Sequence, residues 1–415
     1  MYSKYARDIF GQQDTFDFVA AHFACEQDKF SNDNPDGFVN FGSAQNFLGK
    51  LEIAERLKSL KWQEQDTPYR KFIGTDDCRL SVASYLQEIS GREVSFDHLV
   101  IGNGLISLIE GLGESILDRG DAVLMPTPVF PALVTALTAR TGASFVALEA
   151  EADSGFQLTP AALREKLDSL SLQGDMVKAV LLCSPGNPVG QVFSAQEVKE
   201  FVCLAEEFGI ALIVDEIYAS SCFEGVEFVS ALSFESDNVF VVGGLSKDFG
   251  VAGLTTAWVH TTNDVILAAL KKQSHFFRLA APIQRAMQSF LAPDWRRDFL
   301  QQHRTRLTEN HDYAFEEIIS MGVSVAPAQA GLVLWLDLRE SLKSQDEAGQ
   351  LELYRYLLEQ HRVHLSPASG FHFSQPGFFR ICFSHQRETL QEGLGRIQQG
   401  LHQLTTKRSN QFSEV

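Results

Sequence analysis

The chain has 415 residues, 45% of them hydrophobic and 21% charged, which is enough for two domains with large buried cores and is the balance of an ordinary globular enzyme. A formal net charge of −18 leaves no basic stripe to offset phosphate repulsion, so neither nucleic acid nor an anionic membrane surface is an expected partner. Residues 1–8 lack the apolar run of a signal peptide and no later run reaches membrane-span length, so a cytoplasmic location is expected.

In chain order, the first seventy or so residues are aromatic and polar, with loops such as Ser31-Asn32-Asp33-Asn34-Pro35-Asp36-Gly37. Residues 1–74 are expected to form an N-terminal arm and part of a small domain, wrapped against the C-terminal domain and a partner subunit. From about 80 to about 270, short apolar runs alternate with amphipathic stretches, the pattern of a mostly parallel sheet covered by helices. The runs at 99–101, 122–125, 144–148, 179–182, 211–214, 239–242 and 256–259 are near-continuous and so buried on both faces, which sets a large domain at 75–282. Beyond it, a long charged helix over 295–320 precedes apolar runs at 331–337 and 380–383, mixing strand and helix signals as in a smaller α+β domain at 283–415. The tail from about Thr405 is expected to fray. The fold class predicted is α/β, a large domain built on a mostly parallel sheet between helices plus the smaller α+β domain. Six cysteines without a CxxC pair, and histidines without ligand spacing, predict neither disulfides nor a metal.

Three of the apolar runs end in chemistry. Val241-Val242-Gly243-Gly244-Leu245-Ser246 leads into Lys247, where desolvation lowers the amine's pKa and makes it a nucleophile suited to a Schiff base. The run 179–182 leads to Ser184-Pro185-Gly186-Asn187-Pro188-Val189-Gly190, and 210–214 leads to Asp215-Glu216-Ile217-Tyr218. An amine for the aldehyde, a carboxylate for the pyridine nitrogen and donors to the ring oxygen are what pyridoxal 5′-phosphate (PLP) needs. Alone, Asp215 reads better as a helix N-cap and Asn187 as a turn residue. A dinucleotide turn at Gly102-Asn103-Gly104 is the competing enzyme reading, but its third glycine would fall at Ser107 and it leaves Lys247, Asp215 and Asn187 without roles.

Several motifs then fall in family order: Pro126-Thr127-Pro128, Asp215-Glu216-Ile217-Tyr218 with Glu227-Phe228-Val229-Ser230, Ser246-Lys247-Asp248-Phe249-Gly250, Ala330-Gly331-Leu332-Val333-Leu334-Trp335, and Ser366-Pro367-Ala368-Ser369-Gly370-Phe371 leading to Phe379-Arg380-Ile381. On these the chain resembles the class I/II aminotransferase superfamily of fold-type I PLP enzymes, in its aminocyclopropane-carboxylate (ACC) synthase-like branch, from about Val39 on. The resemblance implies the PLP-transferase fold and catalytic roles for Lys247, Asp215 and Tyr218. It implies stacking of Phe130 on the pyridine and a clamp on the substrate α-carboxylate by Arg380 with Asn187, while the strand-to-helix turn at Gly104 and Leu105 offers backbone amides to a phosphate. Tyr69 would reach the phosphate of the neighbouring subunit's cofactor, so a homodimer is expected.

The departures are at the phosphate and substrate ends. Family members usually hold the phosphate with a hydroxyl and an arginine where this chain has Gly244 and Thr255, and the second hydroxyl expected near Ile106 is missing as well. Ser246, Thr255 or Thr256, and Arg278 are the expected replacements. Gln45 stands where the synthases carry a glutamate, and Phe72 where they tend to carry a tyrosine, which puts ACC formation in doubt. The expected activity is carbanion chemistry at Cα of an α-amino acid, either elimination or substitution at Cγ of S-adenosylmethionine, or transamination. An amino-acid oxidase or cyclase, or a non-catalytic PLP-fold binding protein, is the alternative.

Overall fold

The computed structural model describes residues 18–174 and 176–413; residues 1–8, read above for a leader, lie outside them. The chain opens with α1 (Phe18–Gln27), β1 (Val39–Asn40), α2 (Lys50–Lys58) and α3 (Asp76–Ser90). An alternating run follows: β2 (Leu99–Asn103), α4 (Leu105–Ile116), β3 (Ala122–Thr127), α5 (Pro131–Thr138), β4 (Ser144–Glu149), α6 (Pro160–Gln173), β5 (Val177–Cys183), α7 (Ala195–Phe208) and β6 (Ala211–Asp215). It closes with β7 (Val239–Gly244), β8 (Thr256–His260) and α8 (Asp264–Phe277). The last third holds α9 (Ala281–Phe290), α10 (Pro293–Ser320), β9 (Ser324–Val325), β10 (Val333–Asp337), α11 (Glu347–His361), β11 (Val363–His364), β12 (Ser366–Pro367), β13 (Phe378–Cys382) and α12 (Arg387–Ser413).

Seven strands make one sheet in the order β2-β8-β7-β6-β5-β3-β4. Strands β3 to β7 run parallel, and β8 runs antiparallel to both β2 and β7. Every residue of β6 and β7 is buried, as their unbroken apolar runs require of strands covered on two faces. Val123, Leu181, Ile213 and Val242 pack on one side against α4 and α5, while Leu124, Leu182, Leu212 and Val241 pack on the other against α6 and α7. Local signals start and stop these helices. Ser194 and Glu197 form a capping box at the head of α7, and Gly209 closes it in the left-handed region.

The second sheet is antiparallel, in the order β12-β13-β10-β9, with Arg380 opposite both Trp335 and Ser366. Its apolar face meets α10, α11 and α12 through Leu307, Leu357 and Leu394. Parallel pairing of β1 with β11 ties the N-terminal segment to this body, Val39 lying against Val363. The charged helix read at 295–320 begins at Pro293, whose missing N–H costs nothing in a first helical turn. Helix α12 runs over Arg387–Ser413. No helix among the described residues is long and apolar enough to cross a membrane, and no group of metal-ligating side chains occurs among them.

Candidate active site

The parallel strands end at one edge of the sheet, where open α/β sheets form their crevices. Cys183 closes β5 directly opposite Asp215, the last residue of β6, and Gly244 closes β7 three residues before Lys247. The Lys247 ammonium nitrogen donates to the carbonyl of Ala44, 2.7 Å away, in the segment after β1. Burial, seconded by the positive charge of Arg380, pushes its pKa down to about 8, and the charge of Asp215 offsets part of this. Near neutrality a fraction of the amine is therefore unprotonated, which a solvated lysine at its ordinary 10.5 would not offer.

Asp215 is buried, and desolvation raises its carboxyl to about 7 against the Ile217 N–H and the Lys247 charge. Its Oδ1 accepts from the Ile217 amide at 3.1 Å, and the nearest donor to Oδ2 is the Cys183 thiol at 3.9 Å. A thiol is a weak donor, so this carboxylate keeps capacity for a cationic N–H. Glu216 beside it turns away, accepting from the Ser230 hydroxyl and the Ala231 amide at 2.7 Å each. The Glu-to-Ser spacing of the sequence motif is thus a buried cap inside the protein body.

Tyr218, Asn187 and Arg380 form a chain along the crevice. Asn187 donates to the Tyr218 oxygen at 3.4 Å and accepts from Arg380 at 3.1 Å. Arg380 is 4% exposed, donates also to the Gly42 carbonyl, and lies 4.8 Å from the centroid of Phe371. Among the described residues its Nε–H has no hydrogen-bond partner and no carboxylate pairs with the guanidinium, whose charge burial disfavours. A buried guanidinium with an orphaned donor and no carboxylate is an open site for an acid group. Gly42 has no room for a side chain, since a Cβ there would lie 2.2 Å from His364 Nε2.

At the other end, Gly104 takes a positive φ of 88° at the head of α4, and no side chain caps that helix. The first-turn amides of Leu105 and Ile106 are therefore free to meet an anion. The Thr255 hydroxyl donates to Asn103 Oδ1 at 2.5 Å from an exposed position, whereas Thr256 is buried with its hydroxyl accepting from the Leu245 amide at 3.4 Å. Ser246 is half-buried. Gly244 has a physical reason for lacking a hydroxyl: a Cβ there would lie 2.4 Å from the Thr256 carbonyl. Arg278 is exposed and sits 5.0 Å from the Tyr69 ring and 5.1 Å from Phe72. Tyr69 is 82% exposed, and Phe130, at 37%, caps α5. Gln45 bonds Ser43 Oγ at 3.1 Å.

The structure thus brings Lys247, Asp215, Tyr218, Asn187 and Arg380 together, and leaves Tyr69 with Arg278 and Phe72 in a separate exposed cluster. Cys183 and the carbonyls of Ala44 and Gly42 were not singled out from sequence. The thiol's place depends on the register of β5 against β6, and the carbonyls on a contact spanning more than two hundred residues. These residues fit PLP: a desolvated amine for the aldehyde, a poorly solvated carboxylate for the ring nitrogen, and amides and hydroxyls for the phosphate.

The sequence matches the family described as Aminotransferase class I and II over residues 36–397. An ACC synthase of Cucurbita maxima is 28% identical over 93% of this chain and 83% of its own length, and one from Oryza sativa subsp. japonica is 29% identical over 90% and 82%. Among solved structures, an aspartate aminotransferase of Thermotoga maritima superposes with a TM-score of 0.79 at 23% identity, covering 97% of this chain and all of that one. An alanine aminotransferase of Pyrococcus furiosus gives 0.80 at 21%, with the same coverage. These likenesses establish the PLP-transferase fold. With a lysine, an aspartate and an arginine gathered at the strand ends and the family matched over most of its length, this chain belongs to the class I and II aminotransferases, in their ACC synthase-like branch, and is a PLP-dependent enzyme.

Proposed function

We propose that the enzyme takes an α-amino acid by its carboxylate and transfers the amino group to a keto acid. The observation that carries this reading is the orphaned Nε–H of buried Arg380, one hydrogen-bonded residue away from Tyr218 and close enough to depress the amine of Lys247. When bound, PLP supplies an electron sink for a Cα carbanion. Arg380 fixes the substrate carboxylate, with Asn187 orienting the guanidinium. Asp215 takes the N–H of the pyridine, and Phe130 covers the ring face. Tyr218 and Asn187 donate toward the ring oxygen. Lys247 Nζ carries the α-proton, and one such base can both remove a proton and return it elsewhere. Gly104, Leu105 and Ser246 hold the phosphate of the same subunit, and Tyr69 that of the neighbouring one, in a cytoplasmic homodimer. The wide exposure of Tyr69 supports this last assignment. The reading also divides the chain into an arm over 1–74, a large domain over 75–282 and a small domain over 283–415, supported by the separate sheets.

A second outcome, elimination or substitution at Cγ of S-adenosylmethionine, is favoured by the curated relatives, which are named as ACC synthases. It ranks behind transamination because Gln45 is neutral and bonded to Ser43, so it supplies neither a base nor an anion for a sulfonium. The purified protein with PLP is incubated with a panel of amino acids plus a keto acid, and separately with S-adenosylmethionine, and products are followed by mass. Amino-group exchange is expected. Release of methylthioadenosine without exchange would replace transamination by the Cγ route.

A further inference from the structure

Lys247 is followed by a second buried acid that the chemistry above does not use. Asp248 is 1% exposed and bonded to no cation among the described residues, with Arg304 acting only at longer range. Its Oδ2 accepts from the Ser220 amide at 2.9 Å and its Oδ1 from the Ser221 hydroxyl at 2.6 Å. Those serines close the turn that starts at Tyr218: the Ser221 amide donates back to the Tyr218 carbonyl at 2.8 Å. The Tyr85 hydroxyl braces the same turn through Ser220 Oγ at 2.7 Å. The turn also touches the body that carries Arg380, since the Ser221 carbonyl accepts from the Gly331 amide at 2.9 Å just ahead of β10. The Asn46 side chain donates to the Lys247 carbonyl at 2.8 Å.

Burying a carboxylate without a cation is costly, and desolvation raises this one to about 7. An apolar residue would avoid that cost but would strand two buried donors. The two acceptor oxygens meet two donors on adjacent residues of one turn, so the side chain sets a distance as well as filling space. We propose that Asp248 is a positioning residue for the amino-acid reaction, holding Tyr218 at a fixed spacing from Lys247 through Ser220 and Ser221. This rests on the proposed function, in which both residues act on the bound cofactor.

The test uses holoenzyme and two readouts: the pH midpoint of the visible absorption of bound PLP, which senses the surroundings that Lys247 and Tyr218 provide, and the split between kcat and KM. Asp248→Ala is expected to shift the midpoint and to lower kcat about tenfold or more with little change in KM. Asp248→Asn is expected to recover most of both, because its amide oxygen can accept from the Ser220 amide while its NH2 donates to Ser221 Oγ. Ser221→Ala, which removes one arm, shifts the midpoint in the same direction by less and serves if Asp248→Ala does not fold. A midpoint unmoved in the folded variants, with only Tm lowered, overturns the proposal, as does an Asn variant no better than Ala. Wild-type protein that shows no pH-dependent PLP band would instead overturn the reading of the site itself, so the two failures are distinguishable.

Discussion

Arg380 and Asp215 are buried ionisable side chains that form no direct ion pair among the described residues, and each makes a different demand on the fold. For Arg380 the demand is geometric. Two of its nitrogens are occupied by Asn187 and Gly42, which leaves the Nε side of the fork for a ligand. A lysine cannot present a planar fork, so Arg380→Lys should raise KM for the amino acid about ten- to a hundred-fold, the loss of a charge-assisted bond of roughly 1.5–3 kcal/mol, with a smaller effect on kcat. Steady-state kinetics on the best amino acid checks this, and an unchanged KM would remove Arg380 from the carboxylate site. For Asp215 the demand is electrostatic. Its folded carboxyl titrates near 7 against an ordinary 3.8, so between those values the folded state holds the extra proton and stability falls as pH rises. Above about 7 the penalty is fully present. Glu216, at about 8, and Asp248, at about 7, add penalties of the same sign, so removing one acid lessens the slope without abolishing it. Apoprotein Asp215→Asn should therefore melt above wild-type apoprotein at pH 8 and close to it at pH 4, and the same variant supplied with PLP should have lost most activity. Calorimetry at the two pH values decides; a variant equally displaced at both would assign the change to packing.

At the scale of elements, the apolar runs marked where strands lie because strands covered on two faces have no alternation to hide. Their pairing was not legible. Nothing in 179–183 or 211–215 announces that Cys183 will face Asp215, since register is settled by packing between segments far apart in sequence. The loop between β7 and β8 illustrates the same limit. Gly244 and Thr255 read from sequence as lost phosphate ligands, yet Gly244 is where β7 and β8 approach too closely for any side chain, and Thr255 sits at φ 47° with its hydroxyl given to Asn103. The loop thus offers the phosphate amides and a hydroxyl, while its one cation, Lys247, is given to the Ala44 carbonyl. Placing a guanidinium there adds a charge-assisted bond, so Thr255→Arg should tighten PLP binding about tenfold, read by equilibrium titration of the visible band and weakening as salt is raised. Unchanged affinity would mean that the phosphate is already held by charges from elsewhere, with Arg278 the first candidate.

For the molecule as a whole, the candidate site residues that the structure gathers were legible because they interrupt apolar runs: a lysine after Val241 and Val242, an acid after Ile213 and Val214, an arginine between Phe379 and Ile381. Contacts that orient them were not, because they come from carbonyls at Gly42 and Ala44, delivered by pairing of β1 with β11 across most of the chain. Tyr69 is one of the large side chains whose exposure a single chain leaves unexplained. It is 82% exposed beside Arg278 and Phe72, a poor place for a large aromatic unless another surface covers it. If it serves the neighbouring subunit's phosphate, a site needs Lys247 from one protomer and Tyr69 from its partner. Tyr69→Ala and Lys247→Ala homodimers should then each be impaired, the first mainly in PLP affinity and the second almost completely in turnover. Unfolding and refolding them together at limiting PLP should yield heterodimers in which one site regains both residues. Activity of the mixture is expected to exceed the sum of the two parents, with sedimentation reporting a dimer throughout. Additive activity in a mixture proven to contain heterodimers would confine each site to a single chain, and Tyr69 would then need another reason to face solvent.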